Sequence, residues 1–260
     1  MFLAADVGNT NIVVGIYDGD TLVTSWRLAT DQTRMPDEWW AMLTILANIE
    51  RVDLHALDGA IVASVVPLLT RAFSEMIQRR LRKAPFIVST ALDLGIRVRV
   101  PNPAEVGADR LANALAARSR YGAPAIVIDF GTGTNFDVVS PDGDYIGGAI
   151  APGVAIALQA LTSRAARLTA VDIAVPPHAI ADNTIQSIQS GTVIGYIGLI
   201  EGLVDRMARE LRAKPAVIAT GGLGRIFEGY TPVIDRYDPN LTLDGLSILY
   251  QRLSGQRNDP

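Results

Sequence analysis

The sequence predicts a duplicated α/β fold, two copies of one unit in which three meandering strands lead into alternating helices and strands. Two apolar runs, residues 2–7 and 125–129, end in the same chemistry: Asp6-x-Gly8-x-Thr10 and Asp129-x-Gly131-x-Gly133. Each lead aspartate is followed, about a dozen residues on, by an Asp-Gly turn pair, Asp18-Gly19 and Asp142-Gly143. The order of apolar runs and helical patterns then repeats, with a period too long for a solenoid. The repeat places the two units at residues 1–121 and 122–260, with the break around Tyr121 to Pro124.

Residues 2–7 and 11–17 form the first two strands, separated by Gly8-Asn9-Thr10. Asp18-Gly19 favours positive φ and turns the chain into a third strand at 21–28. Pro36 suits the first turn of a helix whose apolar positions are Trp39, Trp40, Leu43, Ile45 and Leu46. Residues 60–65 read as a buried strand, and Pro67 opens a second helix with Leu69, Phe73, Met76 and Ile77 on one face. A short strand at 86–88 and a helix at 108–121, after Pro101-Asn102-Pro103, complete the first half. In the second half, residues 125–129, 136–139 and 145–150 are strands, divided by Gly131-Thr132-Gly133-Thr134 and by Asp142-Gly143. Pro152-Gly153 opens a helix, and a long helical stretch runs from 184 to 211. Residues 216–220 are a strand, Gly221-Gly222 precedes a short helix, and 243–253 is a closing helix.

Composition excludes several classes of function. Of 260 residues, 49% are hydrophobic and 19% charged, which supplies a core and excludes a disordered chain. A formal net charge of -4 argues against coating nucleic acid, which wants a basic face. The one basic run, Arg79, Arg80, Arg82 and Lys83, falls at the end of the second helix, where cations suit the carbonyl-rich terminus. The absence of cysteine excludes disulfides, thiolate metal sites and cysteine nucleophiles, and fits a reducing compartment. With only His55 and His178, a serine–histidine triad or a histidine metal site is poorly supported. The N-terminus lacks a basic start and Asp6 interrupts its apolar run, so no signal peptide is expected. The longest glycine-rich apolar stretch, residues 193–200, falls short of the ~20 that span a bilayer. A cytoplasmic protein that contacts neither nucleic acid nor membrane is therefore expected.

A Walker loop needs Gly-Lys-Ser/Thr, but the two lysines, Lys83 and Lys214, do not follow glycine. A dinucleotide fingerprint needs a third glycine opening a helix, and Phe136 stands there with a strand following. A strand-turn-strand loop can still bind phosphate, because glycine lets backbone amides approach the oxygens closely. Asn9, Thr10, Asn11, Thr132 and Thr134 add short donors. Asp6 and Asp129 would repel phosphate unless a cation intervenes, and magnesium held by carboxylate, water and phosphate suits them. Either hairpin alone reads as an ordinary tight turn; both together favour two hairpins clamping one phosphate chain in a shared cleft. Gly221-Gly222 offers backbone for a base or ribose and helix amides for phosphate, though a helix start needing positive φ explains it equally. In Glu105-Val106-Gly107-Ala108-Asp109-Arg110, Asp109 at a helix start is also favoured for structural reasons. In a cleft it would accept a substrate proton, and Arg110 would hold a carboxylate or phosphate. Gly191, Gly195, Gly198 and Gly202 form a smooth stripe for close helix packing, internal or across a two-fold dimer.

Asp6-Val7-Gly8-Asn9-Thr10-Asn11, Ser64-Val65-Val66-Pro67, Gly107-Ala108-Asp109-Arg110, Asp129-Phe130-Gly131-Thr132, Gly147-Gly148-x-Ile150-x-Pro152-Gly153, Asn183-Thr184 and Thr220-Gly221-Gly222 occur in that order. This ordered set, running to about Leu253, resembles the type III pantothenate kinases. The resemblance implies a duplicated ribonuclease-H-like (actin-like ATPase) fold, with two mixed β-sheets flanked by helices, and a homodimer. It implies ATP-dependent phosphorylation of pantothenate, the first step towards coenzyme A, with magnesium and a monovalent cation, potassium or ammonium. By position it implies ATP binding by Asp6, Val7, Gly8, Asn9, Thr10, Asn11, Ile12, Val13 and Thr132, with Asp6 on magnesium through water. It makes Asp109 the proton acceptor, gives pantothenate to Gly107, Ala108, Asp109, Arg110 and Thr184, and gives the monovalent cation to Asp129. The chain departs from the family pattern at Gly133 and Asn135, at Val100 in place of an aromatic, at Thr169 in place of proline, and at Ala181-Asp182 before Asn183. A kinase of another small hydroxylated acid or sugar, and a non-catalytic regulator, are the alternatives. Intact Asp6, Asp109 and Asp129 weigh against the regulator.

Overall fold

The computed structural model describes residues 1–164 and 171–258 and divides into two compact units. The first unit is Met1–Ala116 together with the stretch from Leu241 onward; the second is Ala117–Asn240. Each contains one five-stranded mixed sheet among the described residues.

In the first unit β1 (Phe2–Val7), β2 (Asn11–Asp18) and β3 (Thr21–Ala29) form the antiparallel meander, while β4 (Gly59–Ser64) lies parallel to β1 and β5 (Phe86–Ile87) parallel to β4. The spatial order is β3-β2-β1-β4-β5. Because strand side chains alternate, Leu3, Ala5 and Val7 join Ile12, Val14 and Ile16 on one face. That face is covered by Trp39, Trp40 and Leu43 of α1 (Pro36–Ile49) and by Leu69, Phe73, Met76 and Ile77 of α2 (Pro67–Leu81). Ile45, read as a core position, instead points outward and is 61% exposed.

The other face carries Phe2, Ala4 and Asp6. It is covered by the closing helix α8 (Leu241–Asn258), whose Leu243, Leu246, Leu249 and Leu253 are buried. The Phe2 and Tyr250 rings stack at 3.9 Å, and the Tyr17 hydroxyl donates to Asp244 at 2.7 Å. Each such buried apolar side chain contributes about 1.5–3 kcal/mol. The contiguous division at 121/122 therefore differs from the observed units. The leucines of α8 cover the sheet face that α1 and α2 leave bare, so the last helix belongs with the first strands.

In the second unit β6 (Ala125–Phe130), β7 (Gly133–Val139), β8 (Tyr145–Pro152), β9 (Ala216–Thr220) and β10 (Arg236–Tyr237) stand in the order β10-β9-β6-β7-β8. Strand β7 begins three residues before the expected start, because Asn135 pairs with Asp129 and Thr134 with Phe130. Strand β10 has two residues, too few to show a periodicity in the sequence. Ile126, Ile128, Phe130, Phe136 and Val138 form the core face beneath α4 (Val154–Arg164) and the long helix. That helix comprises α5 (Thr184–Gln189), a π-helical turn at Ser190–Ile194 and α6 (Gly195–Leu211); α7 (Gly224–Phe227) follows β9.

The π turn explains how one helix keeps a single inward stripe. Buried positions fall at Ile188, Val193, Tyr196, Ile200 and Val204. The step of five across the π turn replaces the three or four of an α-helix, so the residues on both sides of it face the sheet. By length and composition the run Thr184–Leu211 is apolar enough to cross a membrane, which the shorter stretch weighed in the sequence did not suggest. Its inward stripe packs instead on the second sheet.

Candidate active site

The predicted site residues fall into two groups, one in each unit. In the first unit, Asp6 sits at the end of β1, half-buried and paired across the ladder with Val13 and Ala63. Gly8 is partly exposed, and Asn9, Thr10 and Asn11 are exposed. Val7 and Ile12 are fully buried in the α1–α2 core, which leaves only their backbone for a ligand. Three bonds close the loop: the Gly8 amide donates to Asn11 O at 3.0 Å, the Thr30 amide to Thr10 O at 3.0 Å, and the Thr30 hydroxyl to Gly8 O at 2.7 Å.

Helix α3 (Ala108–Tyr121) starts in the same unit. Gly107 accepts the Leu111 amide at 3.1 Å and so opens the helix. Asp109 lies in its first turn, partly buried, with Oδ1 accepting the Arg110 amide at 2.8 Å. A Cβ on Gly107 would meet that carboxyl oxygen, so a larger residue there would push the Asp109 side chain aside. Burial raises the Asp109 carboxyl above the ordinary value of 3.8 and outweighs the neighbouring Arg110 amide and charge. Val65 ties this acid to the hairpin: its amide donates to Val7 O at 3.1 Å, and its Cγ1 lies 3.6 Å from where a Gly107 Cβ would be. The sequence motif contained Val65 without giving it a role. Its one signal in the sequence is an apolar residue directly after a buried strand, and the structure leaves it 37% exposed.

In the second unit Asp129 ends β6, half-buried, on the sheet face opposite the α4–α6 core and across the ladder from Asn135 and Thr220. Gly131 and Thr132 are exposed at the tip. Gly153, just past β8, donates its amide to Thr132 O at 3.2 Å. Its own Cβ would fall 2.8 Å from Gly131 O and nearer still to Thr132 O. Gly221, at φ +85°, lies against the lead aspartate: a Cβ there would sit 2.6 Å from Asp129 Oδ1 and 2.7 Å from the Phe130 backbone. The fold sets Gly221, which the sequence offers to a base or ribose, beside the lead carboxylate. Thr184 is exposed at the start of α5, where Asn183 caps the helix by accepting the Gln186 amide at 2.9 Å. Val100 is half-buried in the first unit, and Asp182 accepts the Asn183 carboxamide at 2.9 Å. Thr169 lies outside the described residues.

The residues present fit the implied cations. Among the described residues no three Asp, Glu, His or Cys side chains converge, so a divalent ion at Asp6 would rely on phosphate oxygens and water. That is the coordination magnesium favours. At Asp129 the Gly221 backbone packs closely against the carboxylate, an approach that only glycine allows at that φ.

Comparison with known proteins gives a consistent picture. The protein-family model for type III pantothenate kinase matches residues 2–206. The chain is 52% identical over 253 residues to the type III pantothenate kinase of Thermomicrobium roseum, covering 97% of this chain and 98% of that one. It is 47% identical over 252 residues to the type III pantothenate kinase of Moorella thermoacetica, covering 97% and 99%. Among solved structures, a Campylobacter jejuni protein named for the Baf family of transcriptional activators superposes with a TM-score of 0.65 at 18% identity, over 97% of this chain and 99% of that chain. The activator of 2-hydroxyisocaproyl-CoA dehydratase from Clostridium difficile, with bound ADPNP, does so at 0.54 and 10% identity, over 100% and 97%. These two likenesses show the fold: the duplicated actin-like arrangement.

Proposed function

The chain belongs to the type III pantothenate kinase family, and from that premise we propose how its residues share the work of the reaction. The protein is a kinase that transfers the γ-phosphoryl group of ATP to pantothenate, giving 4'-phosphopantothenate and ADP in coenzyme A biosynthesis. In our reading the new phosphorus–oxygen bond forms at the pantothenate hydroxyl as the bond to the β-phosphate oxygen breaks. Asp109 takes the hydroxyl proton. The observation that carries this role is the Asp109 carboxyl held partly buried over Gly107, with its affinity for a proton raised by burial. A base is most effective when its pKa lies closer to the working pH, and such groups contribute ~10²–10⁴-fold.

Residues 107–110 and Thr184 hold pantothenate, with the planar fork of Arg110 suited to the substrate carboxylate. The amides and short side chains of residues 6–13, with Thr132, hold ATP. Magnesium, reached by Asp6 through water, supplies charge neutralisation on the phosphates. A monovalent cation, potassium or ammonium, sits at Asp129. The glycine stripe of the long helix, with open space beside Gly191, Gly195 and Gly198, supports a homodimer through that face. The setting is the cytoplasm.

The test measures ADP formation with ATP and pantothenate, with and without potassium, and with a panel of other hydroxy acids and sugars. Pantothenate-dependent turnover stimulated by potassium is expected. Turnover with another acceptor and none with pantothenate would sink the reading. In Asp129→Asn, half-saturation by potassium should rise at least about tenfold, as followed by thermal shift as well as by rate.

A further inference from the structure

We propose that Tyr196 is a positioning residue for the second hairpin: from the long helix it fixes the corner after β8 against which the Gly131–Thr132 loop is moulded. This rests on the reading that Thr132 holds ATP.

Tyr196 is buried, and its hydroxyl donates to the Pro152 carbonyl at 2.5 Å. Pro152 is the last residue of β8 and pairs with Gly133 at the base of the loop. The next residue, Gly153, donates its amide to Thr132 O at 3.2 Å and has no room for a side chain against Gly131 O and Thr132 O. Corner and loop are therefore in direct backbone contact, and a shift of Pro152 is passed on to the amides and hydroxyl of Thr132. Packing alone does not require the hydroxyl. The Tyr196 ring meets Phe227 at 5.8 Å, a contact that phenylalanine would make equally well. The buried hydroxyl of Thr134 lies beside that of Tyr196, and it is the tyrosine hydroxyl that reaches the Pro152 carbonyl.

The π turn at Ser190–Ile194 sets the aim of this side chain. Taking one residue out of the helix would rotate everything beyond it by about 100°, and Tyr196 would leave the sheet. The first hairpin has a parallel anchor. There Thr30, just past β3, bonds the loop with both its amide and its hydroxyl. Gly153 has no side chain for the second bond, and the tyrosine from the helix holds the corner instead.

The experiment compares Tyr196→Phe with the unaltered full-length protein. It records the Kd for a non-hydrolysable ATP analogue by calorimetry, KM for ATP and for pantothenate, kcat, and Tm. Nucleotide affinity and kcat/KM for ATP should each fall roughly five- to tenfold, while KM for pantothenate stays within about twofold. Val204→Ala opens the same core about two turns farther along α6, away from the corner. It should lower Tm and leave nucleotide Kd within about twofold. Gly153→Ala should reproduce the Tyr196→Phe pattern, and the double variant should lose less than the product of the two. The proposal is overturned if Tyr196→Phe lowers Tm but leaves nucleotide Kd unchanged, or if Val204→Ala weakens nucleotide equally. Failure of the kinase reading is a separate result: nucleotide binds the unaltered protein, but no phosphopantothenate forms.

Discussion

The two hairpins share a plan and differ in how their tips are held. In both, the residue just beyond the third strand donates its amide to the carbonyl of a threonine in the loop, Thr30 to Thr10 and Gly153 to Thr132. In both, the lead aspartate lies on the sheet face away from the helix pair that fills the main core. The first loop is longer by one residue: Asp6 pairs with Val13, seven positions on, but Asp129 pairs with Asn135, six on. The longer loop has room for the Thr30 hydroxyl bond. The shorter one is packed so closely that glycine is needed at 153 and 221. A duplicated unit can thus keep its backbone plan while one copy is held by side-chain hydrogen bonds and the other by backbone packing.

The largest proposed difference between the copies is proton chemistry, which our reading assigns to Asp109 of the first unit. Asp109→Asn should lower kcat by about 10³-fold, while Asp129→Asn should leave the acid limb of the pH–rate profile in place. If the asparagine at 109 turns over near normally, proton acceptance lies elsewhere. The same substitution has a stability signature. The folded-state value at Asp109 is raised above 3.8, so between those two values the folded protein binds more protons than the unfolded chain. Stability conferred by that carboxyl is present at low pH and falls as pH rises through that window. Asp109→Asn removes this dependence and should raise Tm at neutral pH, measured by calorimetry at matched ionic strength.

Next in size is the backbone-packed tip. Gly153→Ala must push a Cβ into two loop carbonyls and should cost about 3 kcal/mol in denaturant unfolding. Gly8→Ala, whose Cβ would meet one carbonyl at 3.0 Å, should cost clearly less. Equal costs would erase the contrast between the copies. Smallest is Thr30→Val, which keeps the shape and removes one hydroxyl bond. A loss of about 1 kcal/mol is expected, with KM for ATP rising a few-fold, checked by steady-state kinetics.

The hairpins were legible because their signals are local: an apolar run, an aspartate, and glycines at fixed offsets. The start of α3 was legible for the same reason, since a glycine and an acid in the first turn mark a helix N-terminus. What stayed hidden depends on tertiary approach. Nothing near Gly221 in the chain says that it will lie against Asp129, because the parallel pairing of β6 and β9 brings together residues about ninety positions apart. The π turn was equally silent, since residues 184–211 read as one helix by composition. Strand β10 is two residues long and exists only because β9 offers it an edge.

The return of α8 to the first sheet bears on the order in which the chain matures on the ribosome. Residues 117–240 leave the exit tunnel as a complete unit with nothing further to wait for. The opening strands, although synthesised first, keep Phe2, Ala4 and their neighbours uncovered until the final helix emerges. A chain cut before Leu241 would therefore leave this face of the first sheet unsealed while keeping every strand of the second.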